Sequence, residues 1–399
     1  MKPTLDLTTL QAAVRGNAAA FRSRTVLQPA GGEGDKVFPP TYAGAVYATE
    51  ERRIKSDDGS WKSVPCVLLD SVQSQANRLE EALQQAIDDG TLANVIPVIE
   101  VDFSGASLLN DVRRVTSLEA PHRASDAILR DGLLDGVPFR KSVEGEKLNH
   151  ASLSNATPLY EICPTALIFG IWDSTGPKGG LGAKFQRAIV SEIVGVNSQV
   201  GVKTGSRIDP LQIRAAAKVV KSKDGYVLAK DEKEKGAVSP SEVNHGNIPP
   251  DISPGGVTIE YAEQTAVLSL PALRRLRFPI NEGGMNPEVD AAGRTVLAAL
   301  ALAAAALAVD NGLDLRSRCL LWPVGPLTWE LLEKPGETPR EFTITRESSI
   351  ALLNEAIESA EALGLKWRRE PLKLTPAPQL VDLLRRSQEI ASAEAPDAE

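Results

Sequence analysis

The sequence has little histidine, cysteine, methionine or aromatic residue. Its 399 residues include three His, three Cys and two Met, and Phe, Trp and Tyr make up 5%. His122, His150 and His245 stand far apart and near no cysteine pair, which argues against a structural zinc site. Cys66, Cys163 and Cys319 each sit in an apolar run. An odd number at such spacing reads as reduced core thiols of a cytosolic protein, and a disulfide framework is excluded. The first residues, "MKPTLDLTTLQAAVRG", lack the apolar core of a signal peptide. The longest apolar run, "VLAALALAAAALAV" from Val296 to Val309, is too short and too Ala-rich to span a bilayer, and it fits a buried helix. No internal repeat is visible. The net charge of −8 argues against a surface coated in positive charge and against promiscuous duplex binding, while leaving room for a basic groove.

An apolar fraction of 42% is enough for a sizeable core, and the length suits one elaborated domain or two to three ordinary ones. "VPCVLLD" reads as a buried strand over Val64–Leu69. It feeds a helix with apolar positions Leu79, Ala82, Leu83, Ala86 and Ile87 and a stop at Gly90. "VIPVIEVDF", Val95–Phe103, then predicts a second strand, completing a strand-helix-strand unit. "ICPTALIFGIW", Ile162–Trp172, predicts a third buried strand, and Arg187–Val196 a fourth. From Val200 to Gly256 apolar density falls, and Asp224-Gly225 between alternating runs signals a hairpin within a long β-arm. Ala266–Pro279 returns to the core and ends in Arg274, Arg275 and Arg277. The Ala-rich helix and the strand "SRCLLWP" follow. A helix from about Thr345 to Leu363 is closed by Gly364, and a last one covers Pro378–Ile390 before an acidic end. Interleaved strands and helices with one long hairpin insertion suit an α+β sandwich of the ferredoxin or RNA-recognition type. A doubly wound nucleotide fold is disfavoured, because no G-x-G-x-x-G follows the first strand.

Four stretches carry candidate chemistry. In "GIWDSTGPKGGLGAKFQR", Gly170–Arg187, the Walker pattern fails: Gly182 is followed by Ala183, Lys184 and Phe185, where a lysine and a metal-binding hydroxyl are needed. The amides at Gly176, Gly179, Gly180 and Gly182, with Lys178, Lys184 and Arg187 nearby, could form an anion nest; the other reading is a flexible loop without a ligand. "DSVQSQANR" places Asp70, Ser71, Gln73, Ser74 and Gln75 at a helix start, followed by Asn77 and Arg78. That is more polar surface than a cap requires and fits a polyanion or sugar contact. "EAPHRASDAI" sets His122 and Arg123 beside Asp126. It reads as acid–base chemistry, a phosphate contact by Arg123, or a capped helix with an ion pair. Between Gly201 and Lys230 seven basic residues (Lys203, Arg207, Arg214, Lys218, Lys221, Lys223, Lys230) face only Asp209 and Asp224, an excess that a counter-anion would relieve.

Together "GDKVFPPTYAG" (Gly34–Gly44), "CVLLDSVQSQANRLEEAL" (Cys66–Leu83), "FGIWDSTGPKGGLGAKFQRAIVSEIVG" (Phe169–Gly195) and "SRIDPL" (Ser206–Leu211) are more specific than any one alone. The chain resembles the RAMP-superfamily, Cas-seven-type backbone subunit of type I-G (formerly I-U) CRISPR Cascade over nearly its whole length. The resemblance implies an RNA-recognition-type palm with finger insertions and a β-hairpin thumb. It places the first part of the palm at residues 1–199, the thumb at 200–260, the second part with the C-terminal helices at 261–390, and a disordered acidic tail at 391–399. It implies copies stacked head to tail on one CRISPR RNA whose bases pair with target DNA. The other partners would be the large subunit, the crRNA-processing and handle-binding subunit and a helicase–nuclease, with no membrane, no cofactor, no metal and no chemistry of the chain's own. By match to these segments, RNA contact falls on Ser71, Gln73, Ser74, Gln75, Asn77, Arg78, Ser174, Thr175, Lys184 and Arg187, and outside them Arg123, beside His122, is added as an RNA contact. Ser206 and Arg207 stand near the base of the thumb.

Such a grip uses phosphates and 2′-hydroxyls and ignores base identity, which is left to pairing. Two other functions compete. One is a type III-like metal-dependent RNase, for which Asp70, Asp126 and Asp173 are candidates by residue type alone. The other is an unrelated phosphate-binding enzyme.

Overall fold

The computed structural model describes residues 2–55, 58–108, 110, 112–222, 225–280 and 284–394. The protein is α+β. Its largest sheet is built from β1 (Ala20–Pro29), β2 (Thr49–Lys55), β3 (Trp61–Asp70), β4 (Ile189–Val196), β7 (Tyr261–Ser269), β8 (Leu320–Pro323) and β9 (Thr328–Leu332). The spatial order is β2-β3-β4-β7-β1-β8 with Leu313–Asp314 at the edge, and β9 pairs with the other half of β1. β8 and β9 both run antiparallel to β1, with Leu27 opposite Pro323 and Ala20 opposite Leu332, so they are one line interrupted at Gly325-Pro326. Within this sheet the order β9-β1-β7-β4 is the ferredoxin-type order of a β-α-β-β-α-β unit. β2 and β3 form an added edge hairpin.

Period-2 patterning decides the faces. In β1 the residues Phe21, Ser23, Thr25 and Leu27 are buried, while Arg22, Arg24 and Val26 look outward. Two helices cover the inner face: α2 (Val72–Asp88) and α3 (Pro287–Asp310). Leu79 of α2 and Ala305 of α3 meet over Ser23, Ile189, Ser191 and Ala266. The alanines of α3 let α4 (Arg346–Ala362) lie close against it, and α1 (Leu7–Arg15) packs on α3 as well. α3 is long and apolar enough to cross a membrane, and it is buried in the core. All three cysteines are buried and unpaired, and burial pushes their thiols up, that of Cys319 to about 11.

The strand expected within Val95–Phe103 forms over Ile99–Asp102 but belongs to a second sheet. It pairs in parallel with Leu372–Pro376, so the expected strand-helix-strand unit is not closed within the main sheet. The buried strand expected at Ile162–Trp172 is a correction of greater weight. Ile162 ends one short helix, Thr157–Ile162, and a second, Thr165–Phe169, fills the centre of the run before a two-residue strand at Ile171–Trp172. A run buried on every side shows no period, so the pattern cannot separate helix from strand. Pro158 and Pro164 sit where a helix start tolerates them.

After β4 the chain leaves the sheet as β5 (Gln199–Arg207) and returns as β6 (Ile248–Thr258), which pair with each other, while Val257 near the end of β6 also bridges Val37. Between them Val219–Ser222 pairs with Gly225–Leu228; Asp224, expected in that turn, lies outside the described residues. α5 (Pro378–Glu394) runs past Ile390, where the last helix was expected to end.

Candidate functional site

Gly170 leaves the helix in the left-handed region (φ +84°), and Ile171–Trp172 pairs with Lys184–Phe185 to make a hairpin. The loop between these strands wraps round Asp173, which is buried and ion-paired with Arg140. A Cβ on Gly176 would meet the Asp173 carboxylate, and one on Gly182 would overlap the Asp173 carbonyl. The amides of Gly179, Leu181 and Gly182 already donate to Gly176, Lys178 and Gly179 carbonyls. Of the four amides named for an anion nest, those of Gly179 and Gly182 are thus taken within the loop. Gly176 and Gly182 serve close packing around a buried ion pair.

The outer surface of the hairpin is built from side chains. Ser174, Thr175, Lys178 and Lys184 are exposed. The Lys184 ammonium lies 5.0 Å from the ring centre of Trp172, whose side chain is 56% exposed. Phe185 is buried, so strand alternation brings Gln186 to the side of Lys184. There the Gln186 amide oxygen accepts a hydrogen bond from Arg275 at 2.8 Å. Lys184 and Arg275 have no carboxylate partner among the described residues. The arginines on the open face of the sheet are committed: Arg22 to Glu330, Arg24 to Glu263, and Arg52 to Glu50 and Glu192.

The hairpin is anchored from behind by Arg123. This residue has φ +51°, and its guanidinium grips the Glu80 carboxylate at 2.7 and 2.6 Å and donates to the Gly170 carbonyl at 3.1 Å. Burial lifts the Glu80 carboxyl to about 7, against the opposing pull of Arg123 and Arg187. Arg123, expected at a phosphate, thus spends its donors inside the protein. Arg187 also turns inward, with Nε buried and without a hydrogen-bond partner. His122 uses its backbone amide to bond Asp126, and Asp126 caps the helix Ala127–Arg130.

The loop after β3 divides. Ser71 caps α2 by accepting from the Ser74 amide. Gln75 is buried, donating to Asp70 and accepting from Ser191 and Gln264. Arg78 joins Asp70 at 2.9 Å and the Leu315 carbonyl at 2.5 Å. With Gln85, Gln264, Asn311 and Asp314 these two side chains line a cleft of about 190 Å³ between α2 and the end of α3. Arg78 and Glu80 are about 200° apart round the helix, so Arg78 and the Arg123 anchor lie on opposite sides of α2. Gln73 and Asn77 are exposed and share the i, i+4, i+7 stripe that ends at Glu80. That stripe leads toward the hairpin.

Ser206 and Arg207 lie on the arm, where Arg207 donates to the Asn244 carbonyl. Asp209 of "SRIDPL" is buried and accepts from the amides of Leu211, Ile213 and Gly246. The hairpin enters β4 at its start and the arm leaves at its end. The two groups are therefore separated by a strand of 8 residues, on the order of 25 Å. Trp172, Arg275 and Glu80 were not assigned from the sequence. An exposed tryptophan in a polar loop was the one local signal available.

The α+β protein thus carries a cationic hairpin at one end of β4 and a basic arm at the other. Residues 21–200 match the family model described as CRISPR-associated protein GSU0053, which spans β1 through α2, the hairpin and β4. Over those residues the chain is similar to that CRISPR-associated family. Comparison with curated proteins gives no match.

Proposed function

We propose that the chain is a non-catalytic, crRNA-binding backbone subunit of a type I-G Cascade complex. The observation that carries this reading is the match over residues 21–200 together with the separation of hairpin and arm. A single nucleotide cannot reach both cationic groups, whereas a polynucleotide strand can. Lys178, Lys184, Ser174 and Thr175 take phosphates and 2′-hydroxyls, joined by Gln73 and Asn77 along their stripe. The arm is the thumb, with Ser206 and Arg207 near its base, and reaches the next copy in a head-to-tail, non-closing assembly in the cytoplasm. Target DNA is met through the guide. The large subunit, the handle-binding processing subunit and the helicase–nuclease complete the complex.

Asp70, Asp126 and Asp173, the candidates for a type III-like nuclease, are each engaged by protein partners, which favours the non-catalytic reading. Co-expression with a CRISPR RNA should give a large particle with high absorbance at 260 nm. Elution as an RNA-free monomer would refute the proposal.

A further inference from the structure

We infer that Trp172, Lys184, Gln186 and Arg275 form one docking strip for single-stranded RNA, with Trp172 stacking on a nucleotide base. The inference rests on the RNA reading above and adds to it an aromatic platform and a second cation. An indole left 56% exposed at the start of a charged loop contributes little to the core. Its ring face is already used by the Lys184 ammonium at 5.0 Å, an arrangement that sets a positive charge beside a stacking surface. Gln186 continues the same side of the strand, and its bond to Arg275 at 2.8 Å carries the strip onto the short helix Leu270–Arg274.

Behind Arg275, the guanidinium groups of Arg277 and Arg294 share one carboxylate, Asp290. Burial holds the Arg294 guanidinium below its usual range against Asp290, and the neighbouring Arg277 and Arg274 charges add to the effect. The nearby Glu288 is taken by Arg15. This rim therefore keeps an excess of positive charge that a phosphate backbone relieves. Stacking tolerates any base because each presents a π-face, which suits a guide of arbitrary sequence.

The test uses the full-length protein, a short oligoadenylate and its abasic ribose-phosphate counterpart, with binding measured over a salt series. Trp172→Ala should weaken oligoadenylate binding by about 5- to 150-fold and leave abasic binding unchanged, and Trp172→Phe should recover most of the loss. Arg275→Ala should lower the salt slope by about 0.7. Superimposable thermal melts separate these effects from misfolding. Wild-type affinity for oligoadenylate in Trp172→Ala, or an equal loss on both ligands, overturns the stacking assignment while the RNA reading stands. An unchanged slope in Arg275→Ala removes that residue from the strip. Failure of the wild type to bind either ligand overturns the RNA reading and this inference together.

Discussion

Arg123 holds a left-handed backbone conformation that costs a non-glycine residue roughly 1–2 kcal/mol. Its bidentate pair with Glu80 offsets that cost and ties α2 to the hairpin. Removing the arginine leaves a buried carboxylate without a partner, so Arg123→Ala should lose about 3–5 kcal/mol of stability at pH 8. The loss should shrink on acidification. Burial raises the Glu80 carboxyl to about 7 against 4.5 for the free group. Between those values the folded state binds the extra proton, so stability from this group falls as pH rises, and below 4.5 the penalty is gone. Urea midpoints of the wild type and Arg123→Ala at pH 5 and pH 8 check this. An equal loss at both would mean that Glu80 is not the group left unpaired. Neither residue's role was legible locally. The sequence shows an arginine beside a histidine and an aspartate, while its true partner is 43 positions away.

At the scale of elements, the arm is held at its base by the Val37–Val257 bridge and by the bonds of Lys36 and Tyr47, and further out by one carboxylate. A two-stranded ladder on its own is marginal in water, and among the described residues β5 and β6 join no other named strand, Val257 alone bridging Val37. Asp209 organises the segment that follows β5. Desolvation pushes its carboxyl up, but the amides of Leu211, Ile213 and Gly246 outweigh that, and the group sits below its usual 3.8. A depressed value means that stability is present above 3.8 and lost as pH falls through the folded value. Asp209→Asn should therefore raise amide exchange across Ser206–Gly246 at neutral pH while β1, β4 and β7 keep their protection. Exchange unaltered on the arm would count against this role for Asp209. Elements with a clear period were readable in advance. The Thr345 cap, the apolar stripe and Gly364 at φ +84° bound α4 as expected. Gly90 at φ +88° stops α2 in the same way. The helix Thr165–Phe169 was unreadable because every one of its residues is buried and complete burial erases the period.

For the whole molecule, a net charge of −8 coexists with cations on one rim that have no carboxylate partner among the described residues, and the sheet-face arginines are neutralised pairwise. Stability and RNA retention should then separate by residue. Arg78→Ala breaks the Asp70 clamp and should lower the melting temperature, because Asp70 is left buried beside Gln75. The double change Lys178→Glu and Lys184→Glu should leave the melt unaltered and release guide RNA at lower salt. Salt titration of the purified particle, read at 260 nm, distinguishes the two. Equal salt profiles for the lysine variant and the wild type would put the guide elsewhere.

Residue type and spacing by themselves determined the α+β class, the ends of α2 and α4 at Gly90 and Gly364, the buried thiols and the Ala-rich core helix. These follow from local periods, caps and hydropathy, which act over a few residues. The tertiary structure alone decided which polar groups are available to a ligand. Gln75, Arg78 and Arg123 look like ligand contacts in sequence and are taken by Asp70 and Glu80, because a buried carboxylate must be paired. It also decided that Trp172 and Arg275, 103 positions apart, share one exposed strip, since that meeting depends on which strand end faces which helix.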